Sequence, residues 1–428
     1  MKPVLVTGES APGRGSGGRR SPRRRRPRSL PPPLKPDVCV IGGAGHVGAP
    51  LAVVLAHHGF RTLVHDVNRG AMAAMQSGRM PFREAGGDPL LAEVLRQGTL
   101  TFSDQVADLA GVPVLILTIG TPIDEFHNPK FNVLSAAVDR MLPYLSDEQT
   151  IILRSTVCPG ATAFLDRYLR DHGKGCALAF CPERVVQGRA IEEIQQLPQL
   201  ISGTSPRALE VARTVFGRVA PELIELSPAE AEYAKLICNA YRYIQFAATN
   251  QLYMMVESAG LDYHRLLAKM RQGYPRMSSI PGPGFAAGPC LMKDTMQLFA
   301  FQKQNFMLGQ VAMAINEGLP HFLVSQLARQ RDLHGCRVGI LGMAFKAESD
   351  DIRDALSYKL GKLLRFAGAR VLYSDEYARD PTFVSKEELV RQAEVVIVGV
   401  PHRAYRSLRF RADQTVVDVW GPPADARG

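Results

Sequence analysis

Short apolar runs bounded by polar or glycine-rich breaks alternate with segments whose apolar residues recur every three to four positions. Asp37–Ile41 is the first such run, and it passes directly into Gly43-Ala-Gly45-His46-Val47-Gly48 and then a helical stretch, Ala49–His58. Further strands are predicted at Thr62–Asp66, Val112–Thr118 and Thr150–Leu153. From Ser227 the period changes to that of helices. Ala229–Glu257 reads as one long helix, with Ser227-Pro228-Ala-Glu230 as its capped start. Helices follow from Leu291 to about Gln304 and over Leu308–Gln330, the second carrying Gly318-Leu-Pro320, which predicts a kink. Arg337–Leu341 restores strand-helix alternation, continued by strands at Arg370–Ser374, Glu394–Val398 and Thr415–Val419. The pattern predicts an α/β chain with a parallel-sheet domain over 37–218, a helical domain over 219–330 and a second, smaller parallel-sheet domain over 331–428.

Composition changes this picture at one end only. The chain of 428 residues is too long for a single core and carries a formal charge of +10. Residues 1–36 hold ten Lys or Arg and one acid, so subtracting that +9 leaves about +1 for the body. This segment, rich in Gly, Ser, Pro and Arg with the run Arg23–Arg26, is expected to be a disordered, solvated basic tail, or upstream sequence from a misplaced start. It lacks a signal peptide's apolar stretch. A nucleic-acid partner is not expected, nor a membrane. The seven cysteines show no CxxC spacing, so no metal is called for, and a reducing cytoplasm is the expected compartment.

Candidate chemistry gathers at three places. The strand, Gly43-x-Gly45-x-x-Gly48 and helix order, with Asp66 closing a second strand about 20 residues on, is the dinucleotide fingerprint and favours NAD over NADP. Thr121 and Thr156 follow later strand ends, where open α/β sheets bind ligands, although hydroxyls there also cap helices. Cys290 stands at the start of a helix behind the glycine-rich Gly282–Gly288 loop, where the helix N-terminus favours a thiolate, and Asp294 lies one turn on. A buried cysteine at an ordinary loop-to-helix junction is the competing reading. Lys235 and Asn239 share a face of the long helix. Lys346 and Arg353 follow the first strand of the last domain as possible phosphate contacts.

These motifs, with Gly120-Thr-Pro122, Ser155-Thr156, Cys181-Pro-Glu-Arg184, Gly284 through Asp294 and Phe345-Lys346 through Arg353, resemble the UDP-glucose/GDP-mannose dehydrogenase family over essentially all of 37–428. Within it the chain is most similar to the UDP-N-acetyl-D-mannosamine branch, on Pro182–Val185, Tyr274-Pro-Arg276 and Phe285–Leu298. Gln187 stands where UDP-glucose enzymes usually have glutamate. The resemblance implies an N-terminal Rossmann NAD-binding domain, a central helical domain that makes a homodimer or larger homo-oligomer, and a C-terminal Rossmann-like domain for the nucleotide sugar. It implies four-electron oxidation of a UDP-sugar at C6. Cys290 would be the nucleophile, Lys235 and Asn239 would stabilise oxyanions, Asp294 with Thr156 would position water or relay protons, and Glu183 would serve as base for thioester hydrolysis. Gly43, Gly45, His46, Val47, Gly48, Asp66, Thr121, Thr156 and Arg353 would hold NAD. Glu183, Arg184, Lys235, Asn239, Arg242, Gly284, Phe285 and Lys346 would hold the substrate. Two other readings are a two-electron hydroxyacid dehydrogenase with a structural Cys290, and a catalytically silent sugar-nucleotide binder.

Overall fold

The structure, a computed structural model, describes residues 35–120, 124, 131–303 and 305–421, so Thr121 and most of the expected basic tail lie outside the described residues. The first sheet contains β1 (Val38–Ile41), β2 (Thr62–His65), β3 (Leu100–Ser103), β4 (Val114–Leu117), β5 (Thr150–Leu153) and β6 (Ala177–Phe180), all parallel and ordered β3-β2-β1-β4-β5-β6. That is the doubly wound Rossmann order, with its ligand crevice at the carboxyl ends of β1 and β4 where the order reverses. Successive residues of β1 feed opposite cores: Val38 and Val40 pack on one face of the sheet, Cys39 and Ile41 on the other. Burial on both faces explains why the strands read as continuous apolar runs. A small parallel pair, β7 (Gln199–Ile201) and β8 (Leu223–Glu225), flanks this sheet.

The central helix runs over Pro228–Ser258 and begins at the predicted capping box. Ser227 Oγ accepts from the Glu230 N–H, and Glu230 Oε2 accepts from the Ser227 N–H at 2.8 Å. The helices Leu291–Phe301 and Met307–Gln330 pack against it, the latter continuing as one helix through Pro320. A second sheet follows, formed by β9 (Arg337–Leu341), β10 (Arg370–Ser374), β11 (Val395–Val398) and β12 (Thr415–Asp418), parallel and ordered β10-β9-β11-β12. Its core is continuous with the central helices, since Val338 and Ile340 of β9 cluster with Leu319, Tyr253 and Phe285.

The turn after β9 reaches the first domain. Lys346 Nζ donates to the Gln187 carbonyl, the Arg83 N–H donates to the Asp350 carboxylate, and the Arg83 guanidinium lies 3.6 Å from the centre of the Tyr377 ring. These contacts set one edge of the cleft between the two sheets.

Candidate active site

The cofactor turn is shaped by close backbone packing. A Cβ on Gly48 would sit 2.2 Å from the Gly42 carbonyl oxygen, so only glycine lets the following helix, Gly48–His57, start against β1. At Gly45, which is exposed, a Cβ would meet only the Gly42 oxygen at 3.3 Å and would otherwise project into the space a pyrophosphate needs. Val47 precedes the helix without a side-chain cap. Asp66 closes β2, and one carboxylate oxygen accepts from the Ala44 N–H of the turn at 2.9 Å while the other accepts from the Asn68 N–H at 2.8 Å. A carboxylate pinned beside the turn fits a ribose diol and opposes a 2′-phosphate. Thr118 was not singled out from sequence, yet its hydroxyl donates to the Ile41 and Gly42 carbonyls at 2.8 and 3.0 Å and ties β4 to the turn. In Asp66→Asn, the ratio of NADP to NAD use is expected to rise by about tenfold, read from kcat/KM with each cofactor.

The second group forms around Cys290, the residue that immediately precedes the helix Leu291–Phe301. One turn into that helix, Asp294 is 1 % exposed; Asn239 Nδ2 donates to its Oδ2 at 2.6 Å, and Lys293 Nζ lies 2.8 Å from its Oδ1. Lys235, one turn before Asn239 on the central helix, is 8 % exposed. Cys290 keeps access to solvent on one side, but protein atoms crowd it closely on the others. That desolvation pushes its thiol above the ordinary cysteine value, and Asp294 pushes the same way, while Lys235, Lys293 and Arg353 pull it down. The helix N-terminus therefore does not by itself yield a thiolate here. Burial and the neighbouring carboxylate outweigh it, and the three cations limit the rise.

The loop before Cys290 is held from below. Asn250 exchanges two hydrogen bonds with the backbone of Gly284, at 2.9 and 3.0 Å, and also donates to Asn316 at 2.9 Å. Both asparagines are fully buried, and Asn316 donates on to the Tyr243 carbonyl. Phe285, expected at the substrate, belongs to the buried core of the central and last domains. Gly284 lies against the Trp420 ring, and Gly288 against Phe345.

The remaining predicted residues take other partners. Glu183 is 7 % exposed and tied on both oxygens: Arg154, wholly buried, donates to one, and the Arg184 and Val185 N–H groups donate to the other at 2.7 and 2.9 Å. Arg184 donates to the Pro198 carbonyl. Thr156 is half-buried just beyond β5, next to Ser155, whose hydroxyl donates to the Leu117 carbonyl at 3.3 Å. Arg242 is exposed, and its charge acts on Lys346, whose ammonium is depressed mainly by burial. Arg353 grips Asp351 through three side-chain hydrogen bonds of 2.6 to 3.0 Å. Burial would raise the Asp351 carboxyl, but hydrogen bonds from Arg353 and Gln187 overcome it and hold it at about 2. His46 of the cofactor turn packs at a tilt against Phe82 with ring centres 4.1 Å apart, and burial, with Arg353 nearby, lowers its pKa. Two cavities of about 420 and 500 Å³ lie elsewhere, beside Asp375 and beside Tyr253 and Asp418. Neither is lined by the predicted site residues, so the candidate site is the group around Cys290, taken with the glycine turn at Asp66 and the Asp351–Arg353 pair.

Comparison with known proteins identifies the family. Residues 36–220, 229–318 and 339–422 match in turn the NAD-binding, central and UDP-binding domains of the UDP-glucose/GDP-mannose dehydrogenase family. The chain belongs to that family of oxidoreductases, with NAD as its cofactor and a UDP-binding domain at its C-terminal end. It is 28 % identical over 382 residues to the UDP-N-acetyl-D-mannosamine dehydrogenase of Pyrococcus horikoshii, covering 86 % of this chain and 90 % of that one. It is 25 % identical over 392 residues to the NDP-N-acetyl-D-galactosaminuronic acid dehydrogenase of Ralstonia nicotianae, covering 86 % and 91 %. Among solved structures, the Pyrococcus horikoshii UDP-D-ManNAc dehydrogenase superposes with a TM-score of 0.83 at 26 % identity, over 91 % of this chain and 97 % of that one. A UDP-glucose dehydrogenase from Pyrobaculum islandicum superposes at 0.82 and 25 %, over 92 % and 96 %. No helix among the described residues is long and apolar enough to cross a membrane.

Proposed function

We propose that this chain oxidises the C6 primary alcohol of a UDP-sugar to the carboxylate in two NAD-dependent steps, through a thiohemiacetal and a thioester on Cys290, with UDP-N-acetyl-D-mannosamine as the substrate. The observation that carries the reading is the convergence of Cys290, Lys235, Asn239 and Asp294, drawn from two helices, in a chain that also carries the dinucleotide turn. NAD supplies the hydride acceptor in each oxidation. In the first, the C6 alcohol loses a hydride and a proton, and the Lys235 ammonium with the Asn239 amide stabilises the oxygen as it gains charge. The Cys290 thiolate then adds to the aldehyde, and Lys235 sits where the new oxyanion forms. Loss of a second hydride from C6 leaves the thioester, and water cleaves the C–S bond to release the carboxylate and return the thiol. Asp294, desolvated and hydrogen-bonded to Asn239, is placed to move the proton. In the geometry described, Glu183 acts on that water only after loosening from Arg154.

The substrate assignment rests on likeness around 182–185 and 285–298 and on the names of the relatives; UDP-N-acetylglucosamine is the alternative. The test is NADH yield and kcat/KM over a panel of UDP-sugars. Two NADH per UDP-N-acetyl-D-mannosamine, with that sugar the best, is the expected result. One NADH per sugar indicates a two-electron dehydrogenase, and UDP-glucose as the best substrate overturns the assignment.

We further infer a homodimer formed through the central helices, since Ile237, Tyr241, Met255, Leu308 and Val311 are exposed there. A monomer by light scattering at micromolar concentration would overturn this. A reducing cytoplasm suits an enzyme that needs a free nucleophilic thiol, and the seven cysteines are all unpaired.

A further inference from the structure

One residue of the first domain joins the cofactor turn to the segment beside Cys290. Gln187 Nε2 lies 3.2 Å from His46 Nδ1 and 3.0 Å from Asp351 Oδ2, and the Gln187 carbonyl accepts from Lys346 Nζ. An amide nitrogen has two hydrogens, and here there are two acceptors for them: an imidazole nitrogen, with burial and Arg353 favouring the neutral ring, and a carboxylate. Asp351 in turn holds Arg353 in a fixed fork, and the Arg353 charge acts on Cys290. His46 belongs to the glycine turn that would meet the cofactor, so the run His46, Gln187, Asp351, Arg353, Cys290 crosses from one domain to the other. A glutamate at 187 would have no hydrogen to give to either acceptor at neutral pH, and would set a carboxylate against Asp351.

We propose that Gln187 is a positioning residue, a two-ended latch whose amide holds Asp351, and through it Arg353, while tying them to His46 of the cofactor turn. This rests on the reading of Cys290 as the reactive thiol and of the glycine turn as the NAD site. The charges that act on Cys290 are those of Asp294, Lys235, Lys293 and Arg353. Of these only Arg353 is reached through Gln187, so a change at 187 reports on that one arm.

Two readouts that need no turnover test the latch in the full-length protein. One is the dissociation constant for NAD by calorimetry. The other is the rate of iodoacetamide alkylation at Cys290, followed by mass spectrometry of its peptide so that the exposed Cys238 does not interfere. Gln187→Glu adds negative charge beside both the cofactor turn and Arg353, and is expected to weaken NAD binding and to slow Cys290 alkylation at pH 8, each by about three- to tenfold. Gln187→Met, which removes the amide without adding charge, is expected to shift both in the same direction by less, and covers the case in which the glutamate variant does not fold. A change at one end alone, or a lower melting temperature with both readouts within about twofold of wild type, overturns the proposal. Failure of the thioester reading shows separately, as one NADH per sugar in the wild type, and leaves the alkylation result standing on its own.

Discussion

Cys290→Ser is expected to lose sustained turnover by about three orders of magnitude or more, because the hydroxyl is a far weaker nucleophile than a thiolate at neutral pH. The loss should fall on the second oxidation. Removing the first hydride needs a base and a stabilised oxygen, both of which remain in Lys235, Asn239 and Asp294, whereas forming an acyl intermediate needs the sulfur. Single-turnover experiments should therefore show NADH at no more than one equivalent per site in the variant, against two per sugar in the wild type. Lys235→Ala is the contrasting case and should slow both hydride transfers, since charge develops on the same sugar oxygen in each. Near-normal steady-state rate with two NADH per sugar in Cys290→Ser would remove the covalent route. The thiol's environment adds a pH signature. Burial and Asp294 hold it above the ordinary cysteine value, so its thiolate fraction is smaller at neutral pH and keeps growing as pH rises past that value. Alkylation of Cys290 in the free protein should accordingly be slower near pH 7 than that of a free cysteine, and should go on accelerating above about pH 8.5.

How much of this was legible in the sequence follows from how local each signal is. The glycine turn with Asp66, the capping box at Ser227 and Glu230, and the strand Arg337–Leu341 are each written within a few residues or one βαβ unit, and the structure forms them. The strands β3 and β6 carry weaker signatures. Leu100-Thr-Phe-Ser is a half-polar edge strand, and Ala177-Leu-Ala-Phe, though apolar, is half alanine with no β-branched residue, so neither carries a strong strand propensity. At the candidate site, Cys290, Lys235 and the two residues between which a hydrogen bond runs, Asn239 and Asp294, were all readable as side chains placed at helical spacing. What the sequence hid were partners set by the tertiary fold. Asn250 and Asn316 are 66 residues apart, and nothing near Gly284 signals that its backbone needs both. Arg154 and Glu183 meet across the carboxyl ends of two neighbouring strands, and Gln187 finds Asp351 164 residues away. Lys346 and Arg353, read from sequence as possible phosphate contacts, also have protein partners that the sequence did not signal, one at the Gln187 carbonyl and one at the Asp351 carboxylate.

Gly288→Ala is expected to damage the site loop severely. Gly288 has φ of +96°, a conformation L side chains rarely adopt, and a Cβ there would lie 2.5 Å from the Phe345 ring. Its N–H also donates to the Asp354 carbonyl, so the loop cannot swing away without losing a link to the segment that carries Arg353. Backbone strain of about 1–2 kcal/mol adds to an overpacking cost of about 1–3 kcal/mol. The sum, about 2–5 kcal/mol, corresponds to a fall in melting temperature on the order of 2–6 °C for a protein of this size. The chemistry should suffer more than stability does, because the cheapest way to relieve the clash is to displace either Cys290, two residues on, or Phe345, whose N–H donates to the Asp351 carbonyl at 2.9 Å. Either movement separates Cys290 from Arg353. Activity is therefore expected to drop by about a hundredfold even in the fraction that remains folded. Phe345→Leu in the same chain separates the two causes: it makes room for the methyl group but leaves the backbone strain, and should restore part of the activity with less of the melting temperature. A Gly288→Ala protein with wild-type activity and melting temperature would show that this loop does not hold Cys290 in the position described.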